Sequence, residues 1–298
     1  MDPLALALAQ LVADNPHVHL AFFRNQNKTP IIEAHTAHAA PALIRKVPSR
    51  IQTFRIKPIT SPIMRIQVTD EFHHAPYNLN QECQNEPIYL GTQLQPQGAA
   101  WVGTAGAPVS WEHTVAHYHY GILSNWHVMA SGAESVGRPQ HQPDDFSPTC
   151  ARLTAWKAPD PDGINFIDAA IADAKIDGFH TISQEILGLG KIASQPQDAT
   201  PGRPAKKSGR TTSLTNGLCS AVGAAVRVSY GAFEALFADQ DVYEDLDKPF
   251  SAPGDSGSLI VGSDCNCPMS LLFAGGGNLT IGNPIRYVNQ HFQLTWLW

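Results

Sequence analysis

Apolar and polar positions change rhythm near residue 90, and that change organises the whole chain. Residues 3–13 are almost continuously Ala and Leu, open on Pro3 and follow Asp2, a pattern that predicts a helix with proline in its first turn. The apolar run at 4–12 has no basic leader and is far too short to cross a bilayer, so the expectation is a packed helix and not an export signal. Runs rich in strand-forming residues follow at 18–23, 51–56 and 63–68, and residues 37–46 form a helix candidate interrupted by Pro41. Together these predict a small α/β module over residues 1–90, in which the polar stretch 70–87, without clean periodicity, serves as a linker.

From residue 89 onward the pattern is one of short strands: 100–102, 115–124, 164–172, 221–228, 258–261 and 270–274, separated by Gly and Pro clusters. Many short strands without intervening helices predict a barrel or sandwich, so the fold class is mainly β. A proline-rich stretch at 195–204 divides the region into halves of similar size, and the amphipathic run 285–292 behind Pro284 predicts a closing helix. The domain expectation is therefore residues 1–90 and 91–298, the latter as barrels over about 91–194 and 205–283 with a helix at about 284–293.

Composition narrows the function classes. With 298 residues, the chain is long enough for one large β unit and a smaller module. Its net charge of −6 argues against a duplex-binding surface, because phosphate affinity comes mainly from Lys and Arg. Neither a nucleic acid nor a membrane is an expected partner. Five cysteines leave one unpaired at best, and Cys265 and Cys267 stand too close in sequence for an ordinary disulfide. The expectation is thiols in a reducing, cytoplasmic setting, with a two-cysteine zinc half-site at Cys265 and Cys267 as the alternative; no second pair stands at ligand spacing.

The strongest chemical signal is Pro253-Gly254-Asp255-Ser256-Gly257-Ser258, followed at once by Leu259-Ile260-Val261. Glycines around a serine just before a strand allow a tight turn, and the amides of Gly254 and Ser256 can then point together at one oxygen. The competing reading is a glycine-rich turn with an idle serine. A serine hydroxyl is a weak nucleophile and needs a base. Of thirteen histidines, His127 stands out at the end of an apolar strand, residues 121–128, before a short helical turn. His113, His117 and His119 admit a metal-ligand reading, but no carboxylate or cysteine cluster accompanies them in sequence, and a solvated strand face is the plainer account. The base needs an acceptor on its second ring nitrogen. Asp168, set just before a small-residue apolar run, fills that role if a histidine meets it; Asp173 and Asp177 are rivals at the far end of the run.

These segments resemble the trypsin-like serine peptidases, whose chain order is His, Asp, Ser, and more narrowly the intracellular branch found in bacteria and in the plant narrow-leaf proteins. The resemblance rests on GILSNWHVM at 121–129, IDAAIA at 167–172, SGRTTSLTN at 208–216, FSAPGDSGSLIV at 250–261 and LLFAGGGNLTIGNPI at 271–285. It implies a chymotrypsin-like double β-barrel with the site between the barrels, His127, Asp168 and Ser256 as catalytic residues, and Gly254 and Ser256 as oxyanion-hole donors. It also implies a substrate pocket at Phe250, Ala274, Gly275 and Gly276. Two departures stand out. Trp126 replaces a small residue before the histidine, and Phe250 stands where trypsin has an aspartate, which weakens the case for an Arg or Lys preference; Glu244, Asp245 and Asp247 are a nearby acidic run that either restores acidity or is a solvated loop.

The expected activity is a serine endopeptidase acting on a cytoplasmic protein or peptide, without metal or organic cofactor. Bacterial relatives of this kind accompany cell-death effectors, which suggests a co-encoded effector as the substrate. The alternative is a silent trypsin-like scaffold that binds a partner protein. Residues 1–90 are expected either to restrain or recruit the protease, or simply to complete the fold.

Overall fold

The computed structural model describes residues 2–26, 29–37, 44, 46–67, 80, 87–114, 117–174, 182–245 and 247–296. Most of the 37–46 helix candidate and of the 70–87 linker lies outside them. Two large curled sheets dominate, and the fold is mainly β, that of a chymotrypsin-like double barrel.

The first sheet runs Leu294–Trp296, Ala107–Thr114, His117–Ser124, Ala169–Asp173, Thr149–Lys157, Pro139–His141, Thr92–Pro96 and Gly103–Ala105 in spatial order. Its interior is packed by Leu94, Val109, Ile122, Leu123, Leu153 and Ile171. Strand Leu294–Trp296, which the sequence pattern does not announce, returns from the C-terminus to pair antiparallel with Ala107–Thr114.

The second sheet is built around Ser213–Ser229 and Glu234–Glu244, with Pro204–Gly209, Leu259–Gly262, Pro268–Gly276 and Leu279–Pro284 completing the barrel. Ser213–Ser229 is 17 residues long and pairs with its neighbour through three register irregularities, at Cys219/Ala221, Ala221/Ala224 and Ala224/Val226. Such bulges bend and twist a strand. One half of it therefore serves the barrel beside Pro204–Gly209, and the other meets the N-terminal segment.

That N-terminal segment joins the second sheet directly. Val18–Gln26 pairs antiparallel with Ser213–Ser229 through Leu20 opposite Val226 and Ala21 opposite Ala225, then carries Thr29–Thr36 and, parallel to that, Arg55–Thr60. Helix α1, Pro3–Asp14, starts where Asp2 accepts the Leu4 N–H at 2.9 Å. It buries Leu8, Leu11 and Val12 against Ala225 and Ala238 of the barrel. The sequence expectation of a strand beginning at residue 51 shifts: Ser49–Ile51 is a short 3-10 turn that buries Ile51, and the strand begins at Arg55.

Cys265 and Cys267 form a disulfide, which corrects the expectation of separate thiols. The turn supplies the reason: Asn266 takes a left-handed conformation at φ 54° and folds the chain so that the two Cα atoms stand 5.1 Å apart, within disulfide reach. Cys150 and Cys219 are buried thiols.

Candidate active site

His127 is carried by a four-residue helix, Trp126–Met129, at the end of strand His117–Ser124, and its side chain is buried. Asp168 sits in the short break between strands Ile164–Asn165 and Ala169–Asp173. Burying a carboxylate is costly unless its oxygens are satisfied. Here Asp168 Oδ2 accepts from His127 Nδ1 at 2.5 Å and from the Tyr230 hydroxyl at 2.7 Å, and Oδ1 accepts the His127 backbone N–H at 3.1 Å. Its own backbone is held as well, the N–H donating to Asn283 Oδ1 at 3.0 Å and the carbonyl accepting from Asn125 Nδ2 at 2.8 Å. Asn283 is anchored in turn by Gln240 at 2.7 Å. A carboxylate can only accept in this arrangement, so Nδ1 of His127 carries a proton, and in the neutral ring Nε2 presents a lone pair. Nε2 is buried without a hydrogen-bond partner. Burial, followed by the neighbouring Asp168 charge, pushes the Tyr230 hydroxyl well above the usual phenol range, which keeps it a donor.

Ser256 lies on a tight loop whose glycines are required by conformation: Gly254 at φ 102° and Gly257 at φ 96° occupy backbone space that side chains disfavour. Asp255 pins the loop from beneath. Both its side chain and that of Lys207 are fully buried; Lys207 Nζ donates to Asp255 Oδ2 at 3.1 Å, and Asp255 also accepts the backbone N–H groups of Thr211 and Ala252 at 2.9 and 3.0 Å. Burial pulls the Lys207 ammonium below its ordinary value, with Asp255 opposing that shift. From the other barrel, the Thr104 hydroxyl donates to the Gly254 carbonyl at 2.9 Å, and the Thr104 N–H to the Ser256 carbonyl at 2.8 Å. A side chain at Gly103 would strike both Val128, next to His127, and the Ser256 carbonyl, so the histidine-bearing helix and the serine loop share one seam.

The amides of Gly254 and Ser256 converge on a single oxygen, the carbonyl of Gln67, at 2.6 and 3.1 Å. The Gln67 N–H donates to Ser256 Oγ at 2.9 Å, and Ser256 Oγ donates to the Phe273 carbonyl at 3.1 Å. The chain just before Gln67 pairs antiparallel with Pro268–Gly276, Ile66 opposite Ala274 and Arg65 opposite Gly275. Ser256 is thereby fully buried.

Ala274, Gly275 and Gly276 thus form the wall beside Gln67: a side chain at Gly275 would strike the Gln67 amide, and one at Gly276 would crowd the Ile63 carbonyl and Met64. Phe250 is fully buried against Tyr243, Ile260 and Leu272, with its carbonyl accepting from Thr215. Glu244 pairs with Arg24 of the N-terminal strand at 3.3 Å. Trp126 packs against Tyr230 and Phe233 and donates to Glu134 at 2.6 Å.

Among the rivals, Asp173 meets His119, whose ring stacks on Trp111, and Asp177 lies outside the described residues. The side chains of His113 and His117 are likewise outside them, and among the described residues no group of three or more His, Cys, Asp or Glu is arranged to hold a metal. Tyr230, Asn283, Lys207 and Gln67 escaped sequence reasoning. Tyr230 and Asn283 carry no local signature of their contacts, and only the pairing of distant strands gives them partners.

The fold is similar to that of bacterial chymotrypsin-like serine proteases. Alpha-lytic protease homolog N4 superposes with a TM-score of 0.52 at 19% identity, over 70% of this chain and 98% of its own. Thermobifida fusca protease A gives 0.51 at 16% identity over 70% and 97%. Cellulomonas bogoriensis chymotrypsin gives 0.50 at 17% over 70% and 98%. No protein-family model matches the chain, and no curated protein matches it. No helix among the described residues is long and apolar enough to cross a membrane.

Proposed function

We propose that this protein is a serine endopeptidase of the trypsin-like intracellular kind, acting on a cytoplasmic protein through His127, Asp168 and Ser256. The observation that carries the reading is the convergence of the Gly254 and Ser256 amides on one peptide carbonyl beside Ser256 Oγ. Two such donors stabilise the negative oxygen of a tetrahedral intermediate, and each is worth on the order of 10²–10³ in rate. In this mechanism Ser256 Oγ attacks the carbonyl carbon as Nε2 of His127 takes its proton. Asp168 holds the ring by Nδ1 and stabilises the imidazolium. The imidazolium then protonates the departing amine, and water, deprotonated by the same nitrogen, releases the acyl group as a carboxylate. Substrate backbone would pair with the Ala274, Gly275 and Gly276 edge. Residues 91–298 would form the protease proper, with residues 1–90 as an attached module that controls access, and a co-encoded effector protein is one substrate class consistent with such control.

The single-site variants Ser256→Ala and His127→Ala test this, with turnover measured by cleavage-site profiling on a peptide library. Both are expected to fall to background while the thermal transition is retained; unchanged turnover in Ser256→Ala would overturn the assignment. A silent scaffold is the second reading, favoured by one observation: Ser256 Oγ is bonded to Gln67 and Phe273, and Nε2 of His127 has no partner. Library turnover absent both in wild type and in Ile66→Pro, a variant that releases the strand lying against Ser256, with partner binding intact, would select it.

A further inference from the structure

The occupant of the cleft is the chain itself. Gln67 places its carbonyl oxygen on both loop amides and its N–H on the serine hydroxyl. Behind it, Ile66 and Arg65 extend the ladder with Ala274 and Gly275. Met64 fixes the far end: it is fully buried beside Phe22, Phe237 and Phe273, and its carbonyl accepts the Ser229 N–H at 3.0 Å. An extended strand, added in register to a sheet edge and ending with a peptide carbonyl between two donors and against a nucleophile, is the arrangement that a peptide needs in order to be cut.

The Gln67 side chain adds chemical selectivity. It is buried against Gly275, which has no side chain to obstruct it, and its Oε1 has no hydrogen-bond partner. A neutral amide tolerates that position. A carboxylate placed there would be a buried charge without a donor, which is far more costly.

Resting on the protease reading above, we propose that the bond between Gln67 and Val68, the next residue in the sequence, is the enzyme's first substrate, cut by its own Ser256, and that the pocket selects glutamine on the carbonyl side of the cut bond. The Ser256 hydroxyl turns from the Phe273 carbonyl towards the unpartnered Nε2 of His127 and delivers its proton there. The Oγ–C bond to Gln67 forms, the C–N bond to Val68 breaks, and His127 hands the proton to the Val68 nitrogen. Water then opens the ester, leaving Gln67 as a carboxylate and Ser256 as a hydroxyl. The N-terminal piece stays attached after the cut, because its strand Val18–Gln26 and helix α1 remain part of the second sheet and its core. The nicked protein therefore migrates as one complex in native conditions and as two fragments when denatured.

Intact-mass analysis of the full chain over time, under denaturing conditions and at several protein concentrations, tests the proposal alongside fluorophosphonate labelling. Wild type is expected to give fragments 1–67 and 68–298 at a rate independent of concentration, Ser256→Ala to stay whole, and Gln67→Glu to be cut at least about 100-fold more slowly, as a buried unpaired charge demands. Ile66→Pro, which cannot complete the ladder to Ala274, is expected to open the cleft, label faster than wild type and escape the cut. A wild type that remains whole while it or Ile66→Pro takes the label would overturn self-cleavage and leave the protease reading standing. If neither is labelled and neither is cut, both readings fall. Fragments with another terminus, or equal cutting of Gln67→Glu, would overturn the assignment of Gln67.

Discussion

Tyr230 donates its hydroxyl to Asp168 Oδ2 at 2.7 Å, so the oxygen that receives the His127 ring is shared with a phenol from the other barrel. The phenol holds the carboxylate in one orientation, and the ring follows the carboxylate. In the mechanism proposed above, Tyr230 would touch no reacting atom and would act as a positioning residue.

Tyr230→Phe is therefore expected to lower kcat roughly tenfold, the value of about 1.5 kcal/mol for a lost hydrogen bond to a charged group, with KM unchanged. Steady-state kinetics on a glutamine-containing peptide separates the two constants. A change confined to KM, or none in either, would show that the phenol does not orient the pair.

The ion pair of Lys207 with Asp255 supports the loop that carries Gly254 and Ser256, and it is wholly removed from water. Breaking such a pair from one side strands a buried charge and costs about 3–5 kcal/mol. Lys207→Met is expected to lose stability of that order in urea denaturation. Adding Asp255→Asn should recover a large part of it, because the orphaned charge is gone. Equal losses in the single and double variants would refute the pairing argument.

His19 and His35 share the Ser61 hydroxyl, at 3.0 and 3.1 Å, where the chain turns towards residues 62–67. Burial lowers both rings from 6.5 to about 4, and in His35 the neighbouring His19, Arg24 and Lys57 add to it. Below pH 6.5 the unfolded chain binds protons that the folded chain refuses, so their contribution is complete above 6.5 and is lost as pH falls from 6.5 towards 4. The difference in unfolding free energy between wild type and the pair His19→Gln with His35→Gln should shrink over that window. A difference constant with pH would contradict it. Comparing the two proteins cancels Asp241, which burial raises to about 7 and whose slope runs the other way.

Much of the fold was legible along the chain, because local chemistry governs it. The Ala and Leu run behind Asp2 makes α1, and the glycines at 254 and 257 make the serine turn wherever they occur. Strand Glu234–Glu244 was illegible for the opposite reason. Its Asp239, Gln240 and Asp241 suggest a solvated loop, yet all three are buried and met by Arg286, Asn283 and Ser270 from distant strands and a helix. Buried polar residues are tolerated only where partners arrive, and which partners arrive is not written beside them.

The same division applies to the site. His127, Asp168 and the loop around Ser256 each carry a local signature, because a strand end, an apolar neighbourhood and a glycine turn are properties of short segments. That Tyr230 shares the carboxylate, that Lys207 lies beneath the loop, and that Gln67 fills the cleft depend on sheet pairing between segments far apart in sequence. Register and closure of the two sheets decide which backbone groups face each other, and those are consequences of packing the whole chain.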